Sequence, residues 1–273
     1  MKALTFLIAL LAAVAMPPAS AAPDPDLWDY WLPNQPGNTE EIDHRAWDTF
    51  LKQYVVQGAD SIARVRYRAV AAEGRAPLDR YIDMLASRPV RQLNRAQQRA
   101  VWINLYNALT LRVVLDHYPV ASIRAIRISP GLFSVGPWGK KLLPIDGETV
   151  SLDDIEHRIL RPIWRDPRLH YALNCASLGC PDLLAEAFTA ANTEGLLERA
   201  TRGFVNHSRG VTVANDGLEV SSIYVWFASD FGPGDGAVLR HLAAYAGPVL
   251  RTAIEAKPRI VGHRYDWSLN DAP

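Results

Sequence analysis

The sequence predicts an α+β fold: one domain, predominantly helical, with a small mixed or antiparallel sheet. Three observations carry this. Residues 94–117 hold one long helical pattern free of Gly and Pro. A hairpin signal stands at residues 211–220. The other strand-like runs are short and separated by helices, which suits α+β rather than a regular βαβ repeat. The chain has 273 residues and no linker-like, charge-block or repeated stretch, so one domain is expected.

The elements follow in order. Residues 43–56 place Trp47, Phe50, Leu51, Tyr54 and Val55 at helical spacing. Val65-Arg66-Tyr67 suits a short strand. Pro77 opens a helix through Ser87, with Leu78, Tyr81, Ile82 and Leu85 on one face. Asn94-Arg95-Ala96-Gln97 resembles a capping box and starts the strongest helix, which runs to His117 before Pro119. Ser151-Leu152-Asp153-Asp154 is a second helix start, and that helix should end before Pro162. Leu169–Leu173 suits a buried strand. Residues 192–207 are helical. Val211–Val213 and Leu218–Val220 flank Asn215-Asp216-Gly217, a hairpin turn. Helices over 222–229 and 237–256 and a strand from Ile260 complete the chain.

Composition narrows the function. With 29 Lys+Arg against 29 Asp+Glu, nothing points to a protein held on nucleic acid by phosphate contacts. At 49% hydrophobic and 21% charged, the chain is not intrinsically disordered. Two cysteines are too few for a disulfide scaffold. Residues 1–21 read as a signal peptide: Met1-Lys2, an apolar run from Ala3 to Met16, Pro17-Pro18 and a small-residue site at Ala19-Ser20-Ala21. The apolar run is shorter than the roughly 18 residues a membrane span needs. A periplasmic or secreted protein is expected, with residues 22–42 as a Pro-rich lead-in, residues 43–273 as the domain and no later transmembrane segment.

The chemistry concentrates in Leu169-His170-Tyr171-Ala172-Leu173-Asn174-Cys175-Ala176-Ser177-Leu178-Gly179-Cys180-Pro181. A buried strand delivering His170 and Asn174 into a cysteine-bearing bend is a common way to build a site. Three readings compete, with free, buried and inert cysteines as the remainder. Cys175 and Cys180 could form a structural disulfide, as export to an oxidising compartment favours. Cys175 could be a thiol nucleophile, with His170 or His157 as base and Asn174 orienting the base or holding an oxyanion. A zinc site of both cysteines with His170 or His157 lacks the paired spacing of structural zinc centres, so no metal and no cofactor is expected.

Asp153 and His157, four residues apart, share a helix face, as a general-base pair or as a solvent-facing ion pair. Asn104 and Asn107 lie three apart on the apolar helix 94–117, where an unpaired amide would cost about 1–3 kcal/mol. They either tie loop backbones to that helix or, with Ser177, contact a substrate. Asp230-Phe231-Gly232 spells a kinase motif without its companions and is read as a turn.

The chain resembles the family called domain of unknown function 547. The resemblance is carried by Trp102–Leu109, by Ser151–His157 with Leu160-Arg161, and by Asp166-Pro167-Arg168 running into His170–Pro181. It continues through Ser222–Phe227 to Asp230-Phe231-Gly232 and ends at Tyr265–Asn270, covering roughly Trp47 to Asn270 in order. The resemblance implies no settled activity. It points to exported bacterial proteins and parts of larger plant proteins, and it makes Asn174-Cys175-Ala176-Ser177 the natural site. The expected function is a non-catalytic periplasmic binding or structural module with a Cys175–Cys180 disulfide. Its partner would be a small molecule or another periplasmic protein, not nucleic acid. The alternative is a thiol-dependent hydrolase or acyl transferase.

Overall fold

The organising element is a 23-residue helix that is buried on all faces. In the computed structural model, which describes residues 23–131 and 134–273, α1 spans Arg45–Tyr54, β1 Val55–Gln57, β2 Ala63–Val65, α2 Tyr67–Ala69, α3 Arg75–Ala86 and α4 Arg95–His117. Asn94 caps α4 by accepting the Gln97 amide at 2.9 Å. The cap is one-sided, because the Gln97 side chain turns away toward the Ile42 amide. Every residue from Gln97 to Leu111 is buried. A helix apolar on nearly every face has to be covered on every face. Here α3 packs alongside it, and the Pro-rich lead-in sets Trp31 edge-on against Trp102 at 4.9 Å.

Then come β3 (Leu143–Ile145), β4 (Glu148–Val150), a π-helical segment over Asp154–Leu160 continuing into α5 (Arg161–Trp164), and α6 (Thr193–Val205). The C-terminal part holds β5 (Val211–Val213), β6 (Leu218–Ser221), α7 (Ile223–Trp226), α8 (Ala228–Phe231), α9 (Asp235–Tyr245), α10 (Pro248–Ala256) and β7 (Ile260–Arg264). β1–β2 and β3–β4 are antiparallel hairpins, while β6 pairs antiparallel with β5 and parallel with β7. The α+β expectation is therefore met, with a mixed sheet. The larger core surrounds α4 and the smaller one lies under β5–β7. No helix among the described residues is long and apolar enough to cross a membrane. The expected signal peptide, residues 1–21, lies outside the described residues.

Four expectations are corrected. Leu169–Leu173 is not a strand: Asp166 accepts the Arg168 amide at 2.9 Å and Pro167 opens a 3-10 turn over Pro167–Tyr171. An apolar run buried on all sides has no periodicity to distinguish the two, and the cap with its proline decides. The helix after Ser151 passes through Pro162, because the π segment shifts the hydrogen bonds to i→i+5 and α5 starts a fresh register. Proline lacks an N–H, and the first turn of a new register does not require one. The strand expected at Val65–Tyr67 ends at Val65, where Tyr67 enters α2. The last two helices each break in two, at Phe227 and at Ala246-Gly247 before Pro248.

Candidate functional site

The π segment supplies one wall of a cavity of about 790 Å³. Ser151 and Asp154 form a reciprocal capping box. The Ser151 amide and hydroxyl donate to Asp154 Oδ2 at 2.8 and 2.6 Å, and the Asp154 amide donates back to Ser151 Oγ at 3.1 Å. Lys141 adds an ion pair to the same carboxylate at 2.6 Å. The Arg161 amide then donates to the Glu156 carbonyl, five residues back. Such widened turns concentrate at functional sites. Here one turns Asp153, Glu156 and His157 together into the cavity wall.

Behind that wall lies a buried ionic relay. Arg161 donates to Asp230 through Nε at 2.6 Å and Nη2 at 3.0 Å. His170 Nε2 donates to the same carboxylate at 2.7 Å. The His170 ring stacks on Phe227 at 4.1 Å, and the Arg161 guanidinium covers that ring at 4.9 Å. Burial opposes ionisation of Asp230, but the hydrogen bonds from His170 and Arg161 prevail and hold its carboxyl below the usual range. On its other edge His170 Nδ1 stands 3.9 Å from Glu156 Oε1. Glu156 Oε2 accepts the Tyr106 hydroxyl from α4 at 2.9 Å.

His157 Nδ1 receives an Arg161 N–H at 3.0 Å. A guanidinium only donates, so Nδ1 accepts and the neutral ring carries its proton on Nε2. That nitrogen faces Asp153 Oδ1 at 3.7 Å. His157 is buried and burial lowers its pKa, while the Asp153 side chain is 40% exposed, so only the carboxylate end of the pair meets solvent. Asp153 is pushed up to about 6 by burial and by the Glu156 and Asp154 charges. Its folded pKa lies above its unfolded value, so the folded chain binds the extra proton and stability falls as pH rises between the two. Asp153→Asn is therefore expected to raise the Tm at pH 7, with the gain shrinking toward pH 4. Paired thermal melts across that range check the sign.

The cysteine bend makes the second wall. Asn107 reaches from α4 and clamps its backbone, donating to the Ala172 carbonyl and accepting the Asn174 amide, both at 2.9 Å. Asn174 is also fully engaged. Its amide donates to the Pro181 carbonyl at 2.8 Å, and its Oδ1 accepts the Ala176 amide at 2.9 Å. Ala176 takes a left-handed φ of 60°, a strained setting for a residue with a Cβ. The tail beyond β7 locks the turn, with the Leu178 and Gly179 amides donating to the Ser268 and Asp266 carbonyls, both at 2.8 Å. A Cβ on Gly179 would sit 2.7 Å from the Asp266 nitrogen, so only glycine fits there.

Cys175 and Cys180 are free thiols here rather than a disulfide, yet the Cys175 amide donates to Cys180 Sγ at 2.9 Å. Cys175 Sγ contacts Tyr265 Oη at 3.0 Å and Ser177 Oγ at 3.2 Å. Neither His157 nor His170 hydrogen-bonds to it; their ring nitrogens face Arg161, Asp153, Asp230 and Glu156. Burial pushes the Cys175 thiol well up, and the adjacent Cys180 sulfur adds to this. Burial also opposes ionisation of Cys180, but the donors converging on its sulfur, led by the Cys175 thiol, lower its pKa.

The third wall is aromatic. Trp226 stacks on Trp267 at 5.5 Å, Tyr265 lies 4.8 and 4.6 Å from these two rings, and Trp138 stands 5.9 Å from Trp267.

The expected residues thus divide. His157, His170, Cys175 and Cys180 line one cavity. Ser177 lies behind it, buried and bonded to Tyr265 at 3.0 Å. Asn104 belongs elsewhere: it donates to the Phe188 carbonyl at 2.7 Å and accepts the Phe188 amide at 3.1 Å. Both helix asparagines act as backbone clamps. Glu156, Arg161, Asp230 and the tryptophans were not singled out from the sequence. Asp230 is no turn residue but sits in α8 as the acceptor of the relay. No local signal marked Arg161 and Asp230, because they lie 69 residues apart in the chain.

Residues 90–205 match the family described as "Protein of unknown function, DUF547". The match spans α4, the π segment, the bend and α6, and it supports the resemblance read from the sequence. The Ser222–Gly232 and Tyr265–Asn270 motifs, which complete the cavity, lie beyond it. No curated protein and no solved structure matches the chain.

Proposed function

We propose that this chain is a binding module whose cavity holds a small organic molecule without transforming it, in an exported, periplasmic or secreted protein. The observation that carries the reading is the cavity of about 790 Å³, a size that suits a small-molecule site. Carboxylates and imidazoles form one side of it and four large aromatic rings another. The polar groups behind the walls bond to one another, as in a pre-formed site. The absence of a catalytic role rests on Cys175, a cavity-lining residue whose thiol has a raised pKa and no imidazole partner. In the oxidising compartment of an exported protein, exchange with an external thiol oxidant closes the adjacent sulfurs as a Cys175–Cys180 disulfide and fixes the bend that walls the cavity. The oxidant is itself a disulfide, reduced to its dithiol by the two electrons and two protons released.

Two measurements test this. Panels of amines, sugars and carboxylic acids should include one class that quenches tryptophan emission saturably and raises the Tm, because a ligand of the native state stabilises it. A flat response to every class would remove the binding reading. Maleimide labelling of protein taken from its native compartment should find no reactive thiol until a reductant is added. Two free thiols there would remove the disulfide.

The thiol-enzyme reading has one observation in its favour, the position of Cys175 in the cavity wall. There Cys175 would attack a carbonyl while His170 or His157 took the proton. It requires burst release of a leaving group from an activated ester, lost in Cys175→Ala, and no such burst is expected.

A further inference from the structure

We infer that the ligand is an organic cation: an ammonium group carrying apolar carbons, set between the Glu156 and Asp153 carboxylates and the Trp138, Trp226 and Trp267 rings. This rests on the binding reading above and specifies its ligand class.

The charge census of the cavity points there. Glu156 is only 9% exposed. Its Oε2 accepts from Tyr106, but Oε1 has no closer charged neighbour than His170 Nδ1 at 3.9 Å. Asp153, one turn earlier and 40% exposed at the cavity rim, has His157 at 3.7 Å, so the burial cost falls on Glu156. Three of the nearby cations are committed to other acceptors, and the one lysine or arginine among the described lining residues, Arg124, lies over the Trp267 ring rather than on either carboxylate. Lys141 pairs with Asp154, Arg158 with Asp154 and Asp26, and Arg161 with Asp230 and the Pro23 carbonyl. A buried carboxylate without a cation is costly, and a positively charged guest would relieve that cost.

The aromatic side of the cavity narrows the class. The Asp153 amide donates to the Trp138 carbonyl at 3.0 Å, which sets that tryptophan beside the carboxylate. Ring faces attract cations, most strongly when water is excluded. The wall already holds one: the Arg124 guanidinium lies 5.1 Å over the Trp267 ring at the exposed rim. A hydrated metal ion does not fit such a wall, because rings cannot replace its water ligands, and no cluster among the described residues could hold a metal.

The test compares choline with its uncharged isostere 3,3-dimethylbutan-1-ol on the full chain, by calorimetry and tryptophan quenching. Choline is expected to bind at least about ten-fold more tightly, the equivalent of one desolvated cation–π and carboxylate contact. Glu156→Gln, checked for an unchanged fold by its melting curve, should reduce that preference several-fold while leaving the isostere unaffected. Equal affinities for the two compounds would overturn the cation assignment. Binding of a neutral sugar or an acid, with choline silent, would overturn it too while leaving the cavity a binding site. Silence from every probe would end both readings.

Discussion

Arg161→Ala is expected to lower the unfolding free energy by about 3–5 kcal/mol, the usual cost of removing one partner from a buried ion pair. The Arg161 side chain is 2% exposed and that of Asp230 14%, so solvent does little to screen them. The loss falls on three elements at once, since Arg161 also holds His157 and the Pro23 carbonyl. Asp230 would keep only its His170 donor in a site that burial already makes hostile to charge. Urea unfolding at pH 7 measures the effect, and a loss below about 1 kcal/mol would mean the pair behaves as a surface one. A double variant, Arg161→Met with Asp230→Leu, should recover much of the loss because no unpaired charge remains. The pH dependence has a definite sign. A carboxyl whose folded pKa is depressed adds stability that is present above its unfolded value and lost as pH falls toward its folded one. For Asp230 that window runs from about 4 down to about 2, and the support it gives should be much weaker in Arg161→Ala.

Asn107→Ala should cost about 3 kcal/mol and loosen the cysteine bend. The change strands two buried backbone groups, the Ala172 carbonyl and the Asn174 amide, at about 1–3 kcal/mol each. With its clamp gone, the bend opens, and the thiols of reduced protein should react faster with maleimide than in the parent. Asn104→Ala serves as the matched control. It strands the Phe188 backbone in the same manner, so its stability loss should be similar, yet the cysteines should stay as slow as in the parent. Equal thiol acceleration in both variants would show that Asn107 has no particular hold on the bend.

The contrast between these two asparagines explains what could be read from the chain alone. That both amides need partners followed from their place on a wholly apolar helix. Which backbone each would clamp did not follow, because the partners lie 65 to 84 residues away and are chosen by how loops fold back on α4. His170 was named from the sequence as a possible base and lies in the cavity lining, but its partner was hidden. Asp230 lies 60 residues downstream in a triplet that looked like a turn. The pairing of Cys175 with His170 was inferred from nearness in sequence. The 3-10 turn over Pro167–Tyr171 points the imidazole at Asp230 instead, and the sulfur meets Tyr265 from the far end of the chain.

What the sequence by itself determined is local: the α+β class, the span of α4 with its Asn94 cap, the Ser151–Asp154 capping box, the 211–220 hairpin and the presence of a polar centre at the cysteine bend. These depend on periodicity, capping and turn chemistry, which act over a few residues. The tertiary structure alone decided the composition of the cavity. The wall that places Asp153 and Glu156 opposite Trp226 and Trp267 joins segments about seventy residues or more apart. No local propensity encodes such contacts; they arise when buried charges find their only available partners as the core closes.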